Sequence, residues 1–244
     1  GWKEHFITLS TKGRDGAEKS LTDLARYLHK NSAKMMTQMV FGRRSSREQI
    51  ANMLIRLIGP NDWAVMALEH DNGKCIPSSG MQCIAVSDID IKVLKFNGRI
   101  AGYCFEDKDA EYAYLCDVKP RDISKPRAEQ AREVHENIAL ALKQAGMDFS
   151  NVVRTWFYLD NFLDWYGEFN EVRTSFFKDN GIFSELVPAS TGIGAKNAGG
   201  AALAACAYAV KPKKGKAVTG KSLGVIARRG GHARPSVNPS AAAT

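Results

Sequence analysis

The order in which helical and strand-like periods follow one another constrains this 244-residue chain most. From Glu129 to Pro212 a long amphipathic segment leads into the alternating run VVRTWFYLD, a second amphipathic segment, the stretch LVPASTGIGA and the apolar run AALAACAYAV. Apolar residues three and four apart mark a helix face, and strict alternation marks a strand. A weaker copy precedes it. The strand-like HFITLS is followed by a helix from about residue 17 to 30, with Leu21, Leu24, Ala25 and Leu28 on one face. Then come MMTQMVFG, a helix (REQIANMLIRLIG) opening after Ser45 and Ser46, WAVMALEH and MQCIAVSD.

The second copy opens with the hairpin IKVLKFNGRIAGYCF, whose Asn97 and Gly98 suit a tight primed turn, and continues with EYAYLCDV. Turn signals at Pro120 and Pro126 precede a helix over about 126–145, with Ala131, His135, Ile138, Ala139 and Leu142 near one face and Gly146 as its stop. A further helix spans about 163–178. Matching Ala85-Val86 to Ala209-Val210 gives an offset of 124 residues. These patterns predict duplicated α+β domains over 1–89 and 90–212, each a mixed sheet with helices on one face, and a separate tail over 213–244.

Charge separates the tail from the rest. Residues 211–244 hold eight basic residues (Lys211, Lys213, Lys214, Lys216, Lys221, Arg228, Arg229 and Arg234) and no Asp or Glu, leaving 26 Lys and Arg against 26 Asp and Glu over the first 210 residues. The tail is also rich in Gly, Pro, Ser and Ala. It reads as a solvated or edge-strand segment, or as an arm over 211–234 that touches RNA or another polyanion.

The longest apolar stretch, Ala201 to Val210, is about half the length of a bilayer span, so no membrane association is expected. Lys3, Glu4 and His5 interrupt any secretory signal, and the leading Gly1 suggests a processed start. Five cysteines at irregular spacing, with no CxxC, argue against a metal site or a disulfide framework and for a reducing cytoplasm. Four of them (Cys83, Cys104, Cys116, Cys206) lie in apolar runs, where a thiol serves as a small hydrophobe.

The segments AEQAREVHENIALALKQAGMDFSNVVRTWFYLDN, WYGEFNEVRTSFFKDNG, VPAS and AALAACAYAV resemble the YjgF or reactive-intermediate deaminase (Rid) superfamily, also called L-PSP endoribonucleases. The likeness covers about residues 90–212, with the first half a degenerate copy. RAEQAR, VVRTWFYLD, EFNEVR and LVPASTGIG are more similar still to its two-domain, chorismatase-like branch. The resemblance implies a chorismate-mutase-like fold, self-association as trimers, no cofactor, and a small carboxylate-bearing metabolite bound or hydrolysed between subunits. The likeness to the chorismatase-like branch fades after about Val218, where its longer members continue.

By the same resemblance, an Arg that grips a carboxylate should follow the Pro-Ala turn, and a Glu should stand near the last strand. This chain has Ser190 where the Arg would stand, and Cys206 or an adjacent Ala where the Glu would stand. Neither replaces the missing charge, so standard imine deamination lacks its groups unless another cation such as Arg154 or Lys196 moves in, and no catalytic residue is assigned. The candidate binding set is Arg154, Trp156, Ser190, Thr191, Gly192, Gly194 and Lys196. Arg154, Trp156 and Tyr158 alternate onto one strand face, where they line either an acid pocket or an ordinary half-buried sheet. Gly192 and Gly194 make either a ligand loop with free N–H groups or a plain connection between strands. Glu106, Asp107 and Asp109 read as a solvated loop, His135 as a core residue, and His5, His29, His70 and His232 as histidines without a carboxylate or nucleophile partner.

Overall fold

The computed structural model describes residues 1–10, 14–42, 44–60, 62–69 and 78–216. Its first half runs β1 (Lys3–Leu9), α1 (Arg14–Lys30), β2 (Lys34–Gly42), α2 (Arg44–Ile58), β3 (Ala64–Glu69) and β4 (Ser78–Ser87). The second runs β5 (Lys92–Phe96), β6 (Arg99–Glu106), β7 (Ala110–Val118), α3 (Arg127–Lys143), β8 (Val152–Leu159), α4 (Phe162–Asp179), β9 (Ala189–Gly194), β10 (Lys196–Asn197) and β11 (Leu203–Pro212).

The duplication is exact in topology. One sheet has the order β1-β4-β2-β3-β10, and the other has β5-β6-β7-β11-β8-β9. In each, the strand before the first helix lies antiparallel to the last long strand, which lies antiparallel to the strand between the helices. That strand is in turn parallel to the one after the second helix. Ala85 pairs with His5 and Met35, and Ala209 occupies the equivalent place between Ala113 and Val152. The hairpin β5-β6 has no counterpart in the first half. Its turn is the expected one, with Asn97 at φ 49° and Gly98 at φ 72°.

Helices cover one face of each sheet. Leu21, Leu24 and Leu28 of α1 are buried with Met36, Val40, Cys83 and Ala85, each leucine contributing about 1.5–3 kcal/mol. Ala131, Val134, Ile138, Ala141 and Leu142 of α3 join Phe169, Phe176 and Phe177 of α4 over Leu115, Phe157, Leu159 and Ala205. Gly146 ends α3 in the left-handed region (φ 66°), and the N–H groups of Gly146 and Met147 close on the Lys143 and Leu142 carbonyls at 3.0 and 3.1 Å. The buried Gln130 side chain ties α3 to its surroundings. It donates to the Ile123 and Lys125 carbonyls at 3.1 and 2.8 Å and accepts from Ala202 N–H at 2.8 Å.

The remaining faces of the two sheets pack on each other, giving four layers: helices, sheet, sheet, helices. Met66 and Leu68 of the first sheet share a cluster with Cys116, Tyr158, Ala204 and Cys206 of the second. Tyr114 donates to Glu4 Oε1 at 2.6 Å, and Trp2 lies edge-on to Phe105 and Tyr112. With both faces covered, β11 carries a continuous apolar run rather than an alternating one.

Three features depart from the sequence expectations. LVPASTGIGA contains a strand, β9, parallel to β8 at the sheet edge, and is not a loop. Lys196 and Asn197 of the second half pair with Glu69 and Leu68, completing the edge of the first sheet. The acidic loop is structural: the Asp107 carboxylate accepts from Trp2 Nε1 (2.9 Å), Tyr112 OH (3.2 Å) and the N–H groups of Asp109 (2.8 Å) and Ala110 (2.9 Å). Burial opposes ionisation of Asp107, but these donors outweigh it and hold the carboxyl below its ordinary value.

The start of the basic run docks on the same loop. Lys213 meets Glu106 at 2.8 Å and Lys216 meets Asp109 at 3.1 Å, while Lys211 donates to the Gly146 carbonyl at 2.8 Å. The polyanion-binding arm predicted from the rest of the tail, 217–244, lies outside the described residues, as do Cys75, His70 and His232.

Candidate functional site

Strand β8 sorts its side chains by alternation. Thr155 and Phe157 point to the helices, whereas Arg154, Trp156 and Tyr158 point toward the first sheet. Strand β9 runs parallel with Ala189 beside Arg154, Thr191 beside Trp156 and Ile193 beside Tyr158. On the other side β11 sets Tyr208 beside Arg154 and Cys206 beside Trp156. These residues form one wall of the seam between the sheets. The opposing wall includes Met39, whose sulfur accepts from Tyr158 OH at 3.2 Å.

Arg154 is the charged group of this wall. Its guanidinium carbon lies 4.8 Å from the Trp156 ring centroid, a cation–π arrangement, and Nη2 reaches Thr191 Oγ1 at 3.5 Å, the outer limit of a hydrogen bond. Its Nε is buried with no hydrogen-bond partner among the described residues. A buried, unpaired guanidinium N–H is costly and suits an acceptor from outside the chain. The planar fork matches a carboxylate, with Thr191 and Trp156 beside it as a hydroxyl and an apolar surface.

The structure divides the predicted set. Arg154, Trp156 and Thr191 share the seam face. Ser190, Gly192 and Gly194 lie beside Thr155, Phe157 and Leu159 on the helix-facing side. A Cβ on Gly192 would lie 3.0 Å from Phe162 Cε2 and 3.1 Å from Tyr166 Cε2, and one on Gly194 would lie 3.3 Å from Phe162 Cβ. At both residues the lack of a Cβ leaves room for the aromatic rings of α4, which close over the strand there. Lys196 sits on the edge of the first sheet against Glu69. Arg154 therefore does not take over the place of the arginine expected at 190; it serves the opposite face of the sheet.

At the other unusual position, a β-bulge sets Cys206 against Cys116 and Asp117. The β7–β11 register runs from Ala207–Leu115 to Ala205–Val118, so one residue of β11 faces two of β7, and Asp117 takes φ 61°. The neighbouring Cys206 thiol and burial together push the Cys116 thiol well above the ordinary range. Neither the bulge nor the pairing has a signal in the sequence.

His135 and His5 are structural. His135 is fully buried among Phe149, Phe157, Phe169, Phe176 and Phe177, and its Nδ1–H donates to the Ala131 carbonyl at 2.8 Å. Burial lowers its pKa to about 4. His5, expected to lack a nucleophile partner, instead lies 3.0 Å from Ser87 Oγ and 2.9 Å from Tyr27 OH. Both His5 and Ser87 are buried, so the pair serves as a polar tie between β1, β4 and α1. Among the described residues no group of three or more His, Cys, Asp or Glu side chains converges as a metal site.

Residues 118–204, from the end of β7 into β11, match the family model described as Endoribonuclease L-PSP. It is this stretch, within the second half, that resembles the YjgF/Rid superfamily. No curated protein matches the sequence. Among solved structures, the chain is similar to E. coli TdcF with bound serine (16% identity over 49% of this chain and 98% of that one, TM-score 0.41). It is also similar to Mycobacterium tuberculosis Rv2704 (20% identity, 50% and 100%, TM-score 0.39) and to the E. coli YjgF gene product (16% identity, 49% and 92%, TM-score 0.40).

Proposed function

We propose that the seam beside Arg154 binds a small carboxylate-bearing metabolite. The reading carries over the chorismatase-like resemblance, including self-association as trimers, but assigns binding rather than deamination. The supporting observation is Arg154 itself: a guanidinium backed by Trp156, next to the Thr191 hydroxyl, with a buried N–H that no group among the described residues satisfies. A carboxylate oxygen would satisfy that donor, and the Trp156 ring offers a flat apolar surface to a cyclic body such as that of chorismate. Hydrolysis is the finer possibility within the same reading, and its reacting group is not among the residues named.

A thermal-shift screen tests the binding reading, with chorismate, 2-oxo acids and imino acids set against the methyl ester of each stable acid. Stabilisation by free acids and not by esters is expected, because only the acid presents an anion to Arg154. Equal shifts with acids and esters, or no shift with any compound, would refute it.

A further inference from the structure

We propose that Cys116 and Cys206 form a reversible intramolecular disulfide, making the bulge between β7 and β11 a thiol modification site. Among the described cysteines only these two are cross-strand neighbours: Cys83 pairs with Ile7 and Gln38, and Cys104 with Lys92 and Ala113. The bulge brings Cys206 opposite Cys116, and the flanking Leu115 and Ala207 point to the helix layer. Both cysteines therefore face the seam, in the cluster that holds Tyr158. Facing positions on adjacent antiparallel strands have Cα atoms about 4.5–5.5 Å apart, within the range a disulfide spans.

The oxidant is a small peroxide. Cys206, 9% exposed against 1% for Cys116, is reached first. Its thiolate displaces water from hydrogen peroxide to give a sulfenic acid, and the Cys116 sulfur then attacks that sulfur, expelling a second water. In balance, two thiols lose two protons and two electrons, and one peroxide becomes two waters. The raised Cys116 pKa keeps that thiol protonated at neutral pH, so closure of the disulfide is slow and gains speed as pH rises.

The test is a peptide map of the folded full chain after peroxide treatment, quenching with an alkylating agent, and digestion with trypsin. Asp109–Arg121 and Asn197–Lys213 are separate tryptic peptides, each holding one of the two thiols. The expected result is one linked species of these two peptides, lighter than their sum by two hydrogens, which dithiothreitol returns to free thiols. Cys104→Ser should leave the link intact, and Cys206→Ser should abolish it. Recovery of both peptides fully alkylated, oxidation of Cys206 to sulfinic acid without a link, or linkage of either thiol to Cys75 would each overturn the proposal. All three outcomes are read on the unmodified sequence, so the test does not depend on a variant that folds.

Discussion

Replacing Gly192 separates packing from ligand binding at the edge of the second sheet. A Cβ there starts 3.0 Å from Phe162 Cε2 and 3.1 Å from Tyr166 Cε2, so both rings must retreat by about half an ångström to reach ordinary carbon contact. Overpacking of this kind costs about 1–3 kcal/mol, while losing glycine's freedom in the unfolded chain returns about 0.4–1 kcal/mol for alanine. Gly192→Ala should therefore cost about 1 kcal/mol, and Gly192→Val about 2–3 kcal/mol because two methyl groups are added under the same rings. For a chain of this size each kcal/mol lowers Tm by about 2–4 °C. The control has the opposite sign: Gly167, on the exposed side of α4, has nothing within 4 Å of its would-be Cβ, and Gly167→Ala should stabilise by about 1 kcal/mol. Urea denaturation checks both values, and carboxylate affinity should stay within about twofold because Gly192 lies on the face away from Arg154. A Gly192→Val protein that melts like the parent but no longer binds carboxylates would refute the packing account and restore the glycines as ligand contacts.

Three more outcomes are expected. His135 binds a proton in the unfolded chain at its ordinary pKa but in the folded chain only near 4. Stability is therefore whole above about pH 6.5 and is lost as pH falls toward 4, by about 3 kcal/mol in all. Urea midpoints at pH 7 and 4.5 should show this loss, with a smaller one in His135→Phe. Gly102→Ala would place a Cβ 1.9 Å from the Tyr114 carbonyl oxygen, so it should destabilise by about 3 kcal/mol or more and deplete soluble protein on expression. Asp107→Ala removes the acceptor of four donors that join the N-terminal strand to the β6–β7 turn. It should cost about 2–4 kcal/mol and expose Trp2, which a red shift of tryptophan emission would report.

Local signals carried much of this fold. The helical spacing of Leu21, Leu24 and Leu28, the Asn97-Gly98 turn and the Gly146 stop each depend on neighbours in sequence, and each appears in the structure. The duplication was legible from strand order and from Ala85 and Ala209, which hold equivalent places. What escaped depends on distant pairing. Ala189 to Gly194 carries small residues on the face toward α4, because at Gly192 and Gly194 the rings of Phe162 and Tyr166 occupy the space larger side chains would fill, and only Thr191 and Ile193 on the other face mark a strand. The stacking of the two sheets, the bulge that joins Cys116 to Cys206 and the four donors on Asp107 arise between segments far apart in the chain. The candidate site was half legible. Alternation put Arg154, Trp156 and Tyr158 on one face, but only the β8–β9 register shows that Thr191 joins them and that Ser190 does not.

The most direct measurement is calorimetric titration of the best carboxylate from the screen into the parent protein, Arg154→Lys and Arg154→Ala. Loss of a charge-assisted, bidentate contact of about 1.5–3 kcal/mol predicts roughly 10- to 150-fold weaker binding for Arg154→Ala. Arg154→Lys should fall in between, since lysine keeps the charge without the fork. Equal affinity of all three proteins for the same acid would contradict the assignment of the seam as the binding site.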